Sequence, residues 1–192
     1  MKKALLIIFL LIPFIVFSQT TKPIDGFLGI KFGSSKTTVI AAIHAKGGKI
    51  NKENSTGHSL AFDNVKLGHN EAAVFLVKFI DNKAYEADFG FRPDKDDEIV
   101  TLYNDLVSGF NQVYGSGVVT NNHTSPYQAD NGNTIAGITS GNIDMHTLWQ
   151  SSNTNTIYIT IMTQLAVRLV YQDHALSLQA VAEQKAKDAA SY

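Results

Sequence analysis

Cysteine is absent from all 192 residues. That excludes disulfide bridges, thiol catalysis, cysteine-ligated zinc and a lipid anchor carried on a cysteine. Proline occurs four times and tryptophan once. Neither sign of charge dominates, since 16 Lys and Arg face 17 Asp and Glu for a formal charge of -1. With no dense Lys/Arg stripe, the chain lacks the electrostatic footprint of a nucleic-acid binder. Long apolar runs are missing too, with one exception at the start.

That exception is residues 4–17, which follow Met1-Lys2-Lys3 and end at Ser18-Gln19-Thr20. A cationic head, an apolar run and a small residue before a polar segment read as a secretory signal, with Val16 and Ser18 placed for cleavage near Ser18-Gln19. The run is shorter than the roughly 20 residues a spanning helix needs, so no permanent membrane anchor is expected. Cleavage leaves residues 19–192, long enough for one substantial core or two intimately packed subdomains divided near 92–98. The expected location is the periplasm or the cell exterior.

Period-two and period-3.6 patterns then outline the body. Ser34 or Ser35 caps a short helix from Lys36, and Gly47-Gly48 stops it. Leu60 and Phe62, then Val65 and Leu67, predict a strand whose phase shifts at Asp63-Asn64. Phe75, Val77 and Phe79 alternate, and beyond Asp81-Asn82-Lys83 so do Tyr85, Ala87, Phe89 and Phe91. This predicts a hairpin with one oily face, Glu86 and Asp88 lying on its wet face. Acids at 94–98 open the strongest helix, whose stripe runs from Ile99 through Leu106 to Tyr114. The Asn-rich stretch 118–133 reads as a loop in its middle, with flanks that can continue as strand. Strands are expected near 134–139, 143–151, 156–164 and 166–171, with Asp173 capping a final helix.

The order predicts an α+β fold, an antiparallel sheet with helices packed on one face. It fits either a single domain or two diverged helix-plus-three-strand units.

Catalytic motifs fail on spacing. Gly29 to Thr37 lacks the glycines of a phosphate loop, because Ile30 stands where the first is required. His44, His58, His69, His123, His146 and His174 do not form a zinc-hydrolase pair. Only spatial pairs such as His58 with His69, or His123 with His146, remain for a metal. Asp94, Asp96, Asp97 and Glu98 lack the central glycine of a calcium loop and suit a helix start instead. No Gly-x-Ser-x-Gly elbow is present. Glu71, Glu86 and Asp88 could serve acid–base chemistry only if a cleft separated their pKa values. No cofactor, metal or catalytic residue is therefore assigned.

Binding is better supplied. Asn122, His123, Tyr127 and Gln128 offer amides, an imidazole and an aromatic ring, and Trp149 and Tyr158 add apolar surface if exposed. The expected partner is an envelope protein, peptide or glycan. The favoured reading is an exported noncatalytic binding domain for a protein, peptide or envelope polymer. The alternative is a small periplasmic hydrolase with an acidic or histidine-containing site, for which a pocket pairing a carboxylate with histidine would speak.

The signal, the opening Phe27-Leu28-Gly29-Ile30-Lys31-Phe32-Gly33-Ser34 and the helix ending in Gly47-Gly48 resemble small exported Bacteroidota proteins of unknown function. The helix-and-strand units also look like the fold of outer-membrane assembly lipoproteins and β-lactamase inhibitory proteins. That likeness implies protein binding at a sheet face or loop, although the lipoproteins' cysteine is missing here. No functional residue is carried over from either family.

Overall fold

The computed structural model describes residues 22–127 and 132–191. The predicted signal segment and Gln128 lie outside the described residues.

Sixteen elements follow in chain order: β1 (Gly26–Phe27), β2 (Ile30–Lys31), α1 (Lys36–His44), β3 (Lys49–Asn51), β4 (Ser59–Asp63), β5 (Lys66–Leu67), β6 (Asn70–Glu71), β7 (Val74–Ile80), β8 (Lys83–Phe91), α2 (Ile99–Tyr114), β9 (Val118–His123), α3 (Thr134–Thr139), β10 (Ile143–Gln150), β11 (Thr156–Ile161), β12 (Val167–Gln172) and α4 (His174–Ala190). The fold is α+β. Eight strands form one antiparallel sheet in the order β3-β4-β7-β8-β12-β11-β10-β9. Each half is a helix followed by a four-stranded meander, one strand more than the repeat pattern predicts. The halves meet where β8 pairs with β12, Phe89 opposite Leu169. One hydrophobic cluster runs through both.

Alternation decides the faces. Phe75, Phe89, Leu169 and Ile159 lie in successive register across β7, β8, β12 and β11, and each is at most 1% exposed. Phe75 and Phe89 stand 4.3 Å apart at their ring centres. Fully burying each such side chain is worth about 1.5–3 kcal/mol, so this layer dominates stability. α2 covers it with Ile99, Tyr103, Leu106 and Phe110, the predicted stripe, while Val113 at its end is 46% exposed. α1 buries Val39 and Ile43 and is capped by Ser35, whose hydroxyl accepts from the Thr38 amide at 3.2 Å. The acids before α2 give no side-chain cap. Asp96–Glu98 form a 3₁₀ turn, and Glu98 already has helical dihedrals.

Several expectations need correction. Residues 134–139 form the helix α3, not a strand: Ile138 is buried, and Gly137 sits so close to Ile143 and Tyr127 that a Cβ would clash. Thr and Ile favour strands, but packing overrides so context-dependent a preference. The flank 118–123 of the Asn-rich stretch continues as a strand, as its sequence allows, held by six paired positions on β10. In β8 the register shifts beside Lys78 and Phe79, so Tyr85 bulges and Ala84 takes the buried place. Glu86, assigned to a wet face, is only 6% exposed.

The reason for the last is α4. Asp173 caps it as expected, accepting from the Leu176 amide at 2.8 Å. The helix then crosses the second face of the sheet over β7 and β8, so the helices flank both faces rather than the one face expected. It buries no residue of its own but shelters Glu86. Asn155, buried, ties this end together: its amide nitrogen donates to the Ile24 carbonyl and its oxygen accepts from the His174 amide, each at 3.0 Å.

Candidate functional site

Among the described residues, α4 covers the second face beside β7 and β8, and no element covers the part built from β9 to β12. Register places Leu148 beside both Tyr158 and Val118, and His146 beside both Thr160 and Thr120. His146 Nδ1 lies 3.1 Å from both carboxylate oxygens of Asp144. Its ring centre is 5.3 Å from that of Tyr158. Asp144 is 51% exposed, so the pair is wet.

At the margin of this face runs β9, the outermost strand. Val118 and Val119 are 70% and 61% exposed, one toward each face of the sheet. The strand carries no Lys, Asp, Glu or Pro. The opposite edge differs: β3 has three residues and opens with Lys49. Short, charged edges resist pairing with other chains, whereas long uncharged ones invite it. Among the described residues, β9 pairs only with β10.

The sequence candidates divide between the two faces. Asn122 is exposed beside Asp144 on the open face, and Tyr158 is half-buried there. His123 falls on the helix side next to Ile143, with both ring nitrogens shut off from water and without a hydrogen-bond partner among the described residues. Tyr127 is half-buried against Gly137. Trp149 is 3% exposed and belongs to the core: its indole N–H donates to the Gly115 carbonyl at 2.9 Å and to Asn111 Oδ1 at 3.2 Å. Alternation along β10 could have revealed Asp144, His146 and Leu148 as one outward set.

The histidine pairs do not assemble. His123 pairs with Ile143 and His146 with Thr120, and the odd offset between those pairs turns the two rings to opposite sides of the sheet. His58 lies by α4, whereas His69 sits between β5 and β6. No group of three metal-ligating side chains occurs among the described residues.

The two strand acids have structural partners. Glu86 holds the Lys78 ammonium at 2.7 Å and accepts from Gln172 Nε2 at 2.9 Å. Burial pulls the Lys78 pKa down, but the hydrogen bond and charge of Glu86 outweigh it and leave it above the usual lysine value. Asp88 is clamped by Arg168 through Nε at 3.0 Å and Nη2 at 2.6 Å. That hydrogen bond raises the Arg168 pKa despite partial burial. Tyr103, its pKa raised by burial, shares a 2.6 Å hydrogen bond with the buried Thr147.

Comparison with known proteins adds no relative. No family model matches the chain, and neither the curated proteins nor the solved structures contain a match. No helix among the described residues is long and apolar enough to cross a membrane.

Proposed function

We propose that this is an exported, noncatalytic binding domain that receives an extended segment of a partner protein along β9 as an additional strand. The carrying observation is the unequal treatment of the two sheet edges. β9 offers six residues of uncharged strand with two exposed valines, and β3 offers three residues with a lysine. In strand addition, main-chain hydrogen bonds supply affinity and alternate side chains supply selectivity. Here Val118, Thr120 and Asn122 would meet the guest on the open face, beside Leu148, His146 and Asp144. The predicted signal supports export, and the resemblance to inhibitory and assembly proteins implies protein binding. The hydrolase alternative would centre on His146 and Asp144, but that pair's exposure suits it better to a contact surface than to proton transfer.

The test combines lysines at Val118 and Val119 with hydrogen exchange. Both side chains are exposed, so the double variant should keep its stability within about 0.5 kcal/mol. Wild-type protein bound to its envelope partner should show amide exchange in 118–123 slowed by about tenfold or more, and the variant should lose the partner. A partner retained by the variant, with unprotected β9 amides, would sink the edge. Loss of a dimer in sedimentation, with no heterologous partner involved, would reassign β9 to pairing between copies.

A further inference from the structure

Two tight turns and one helix face frame a groove that lies on the opposite side of the molecule from α4. The β1–β2 turn places Leu28 and Gly29 at φ 49° and 78°, and the β5–β6 turn places Gly68 at φ 62°. Leucine rarely adopts a left-handed backbone. Its side chain faces α2 across a cleft of 450 Å³ whose walls include Leu67, Leu106, Phe110 and Tyr114, with the buried Tyr171 behind them.

Gly109 is the telling residue. It occupies the interior of α2, where glycine is among the poorest helix formers. Close packing does not require it, since a Cβ there would meet nothing within 4 Å. It lines the cleft, and its missing side chain keeps the cleft open.

The groove continues toward the start of α2. A second cleft of 340 Å³ shares His69, Asn70 and Asp105 with the first. Glu71, Asp94, Glu98 and Asp105 line it against one guanidinium, Arg92. Glu71 and Glu98 make only long, exposed bridges to Lys66 at 3.4 Å and Lys95 at 3.6 Å. Asp94 and Asp105 have no ion-pair partner among the described residues. One end is thus apolar and the other carries excess negative charge.

We infer that this groove binds an extended peptide segment with large apolar side chains at one end and lysine or arginine at the other. Length favours a peptide over a compact ligand. From Glu98, at the end of the 3₁₀ turn, to Tyr114 the helical wall spans about 24 Å, the reach of about seven extended residues. Charge complementarity fixes the basic end beside Asp94 and Asp105, and the apolar end beside Gly109 and Phe110. This site is separate from β9 and does not depend on strand addition there.

Three heptapeptides test it by fluorescence anisotropy: one with two phenylalanines followed by three lysines, one with glutamates for the lysines, and one with serines for the phenylalanines. The first should bind wild-type protein at least about tenfold tighter than either control. Gly109→Leu should abolish that binding while leaving the thermal midpoint equal or higher, because leucine is the better helix former. The double variant Asp94→Asn/Asp105→Asn should weaken the lysine peptide by about tenfold and narrow its advantage over the glutamate peptide. Lysines at Val118 and Val119 should leave all three affinities unchanged. Equal binding of the lysine and glutamate peptides, undiminished binding by Gly109→Leu, or no binding of the lysine peptide at about 1 mM would each overturn the assignment.

Discussion

The two faces of the central sheet are built from the same strands by opposite rules. Toward α1 and α2, nearly every inward position is a large apolar group, and the aromatic rings of Phe75, Phe89 and Phe91 pack in sequence. Toward α4, polar groups are neutralised pairwise, Glu86 by Lys78 and Gln172, Asp88 by Arg168. The first face derives stability from area removed from water, which is roughly proportional to area and has no directional requirement. The second derives it from matched partners and leaves its remaining surface free for contact. Only the second can be left half-covered without exposing an oily patch.

Substitutions on each face should separate these rules. Phe89→Ala should cost about 3–5 kcal/mol in urea denaturation, since the cavity left among Phe75, Phe91 and Tyr171 cannot collapse fully. Glu86→Ala should cost about 1–3 kcal/mol, because it leaves Lys78 and Gln172 without their acceptor beneath α4. Adding Lys78→Met to Glu86→Ala should recover part of that loss, as a pairing rule requires. If Glu86→Ala were as damaging as Phe89→Ala, or Lys78→Met recovered nothing, the distinction between the faces would fail.

The smallest effect is a pH dependence that Tyr171 contributes from the apolar face. Burial pushes the Tyr171 phenol far above its usual 10.0. Below that pH the folded and unfolded chains both keep the phenolic proton, and the stabilisation is fully present. Above it the unfolded chain ionises first, so stability falls as pH rises toward the folded-state pKa. Tyr171→Phe should therefore flatten the loss of stability above pH 10.0 in denaturant titrations, with little change at neutral pH. An alkaline limb as steep as that of the wild type would assign the effect elsewhere.

Legibility in the sequence followed the same division. The stripe on α2, the caps at Ser35 and Asp173, and the alternation of Phe75 with Val77 and Phe79 are local patterns, and each marks its element directly. Residues 134–139 read as a strand because their Thr and Ile content favours one, whereas packing outside the segment decides the helix: Ile143 and Tyr127 close on Gly137. Glu86 looked solvated because nothing in its own strand foretells that α4 crosses it. The candidate residues were split for a related reason. Spacing within a strand sets a side chain's parity, but the strand must first be recognised, so Asn122 and His123 were grouped although they face opposite sides. Gly109 carried a signal, a glycine inside the strongest helix, whose meaning requires knowing what faces it.

The β8–β12 pairing has a consequence for how the molecule is made. Phe91 meets Val167 across a long stretch of chain, and that contact lies in the middle of the sheet rather than at its rim. Each four-stranded meander can zip up through neighbouring hairpins, but the seam between them closes only once residues 167–172 are available. Contacts so distant in sequence are slow to form. Until they do, β8 presents a bare backbone edge flanked by phenylalanines, the arrangement most prone to wrong partners. The central seam, rather than either outer strand, should therefore limit the folding rate, and it is where the nascent chain most needs protection.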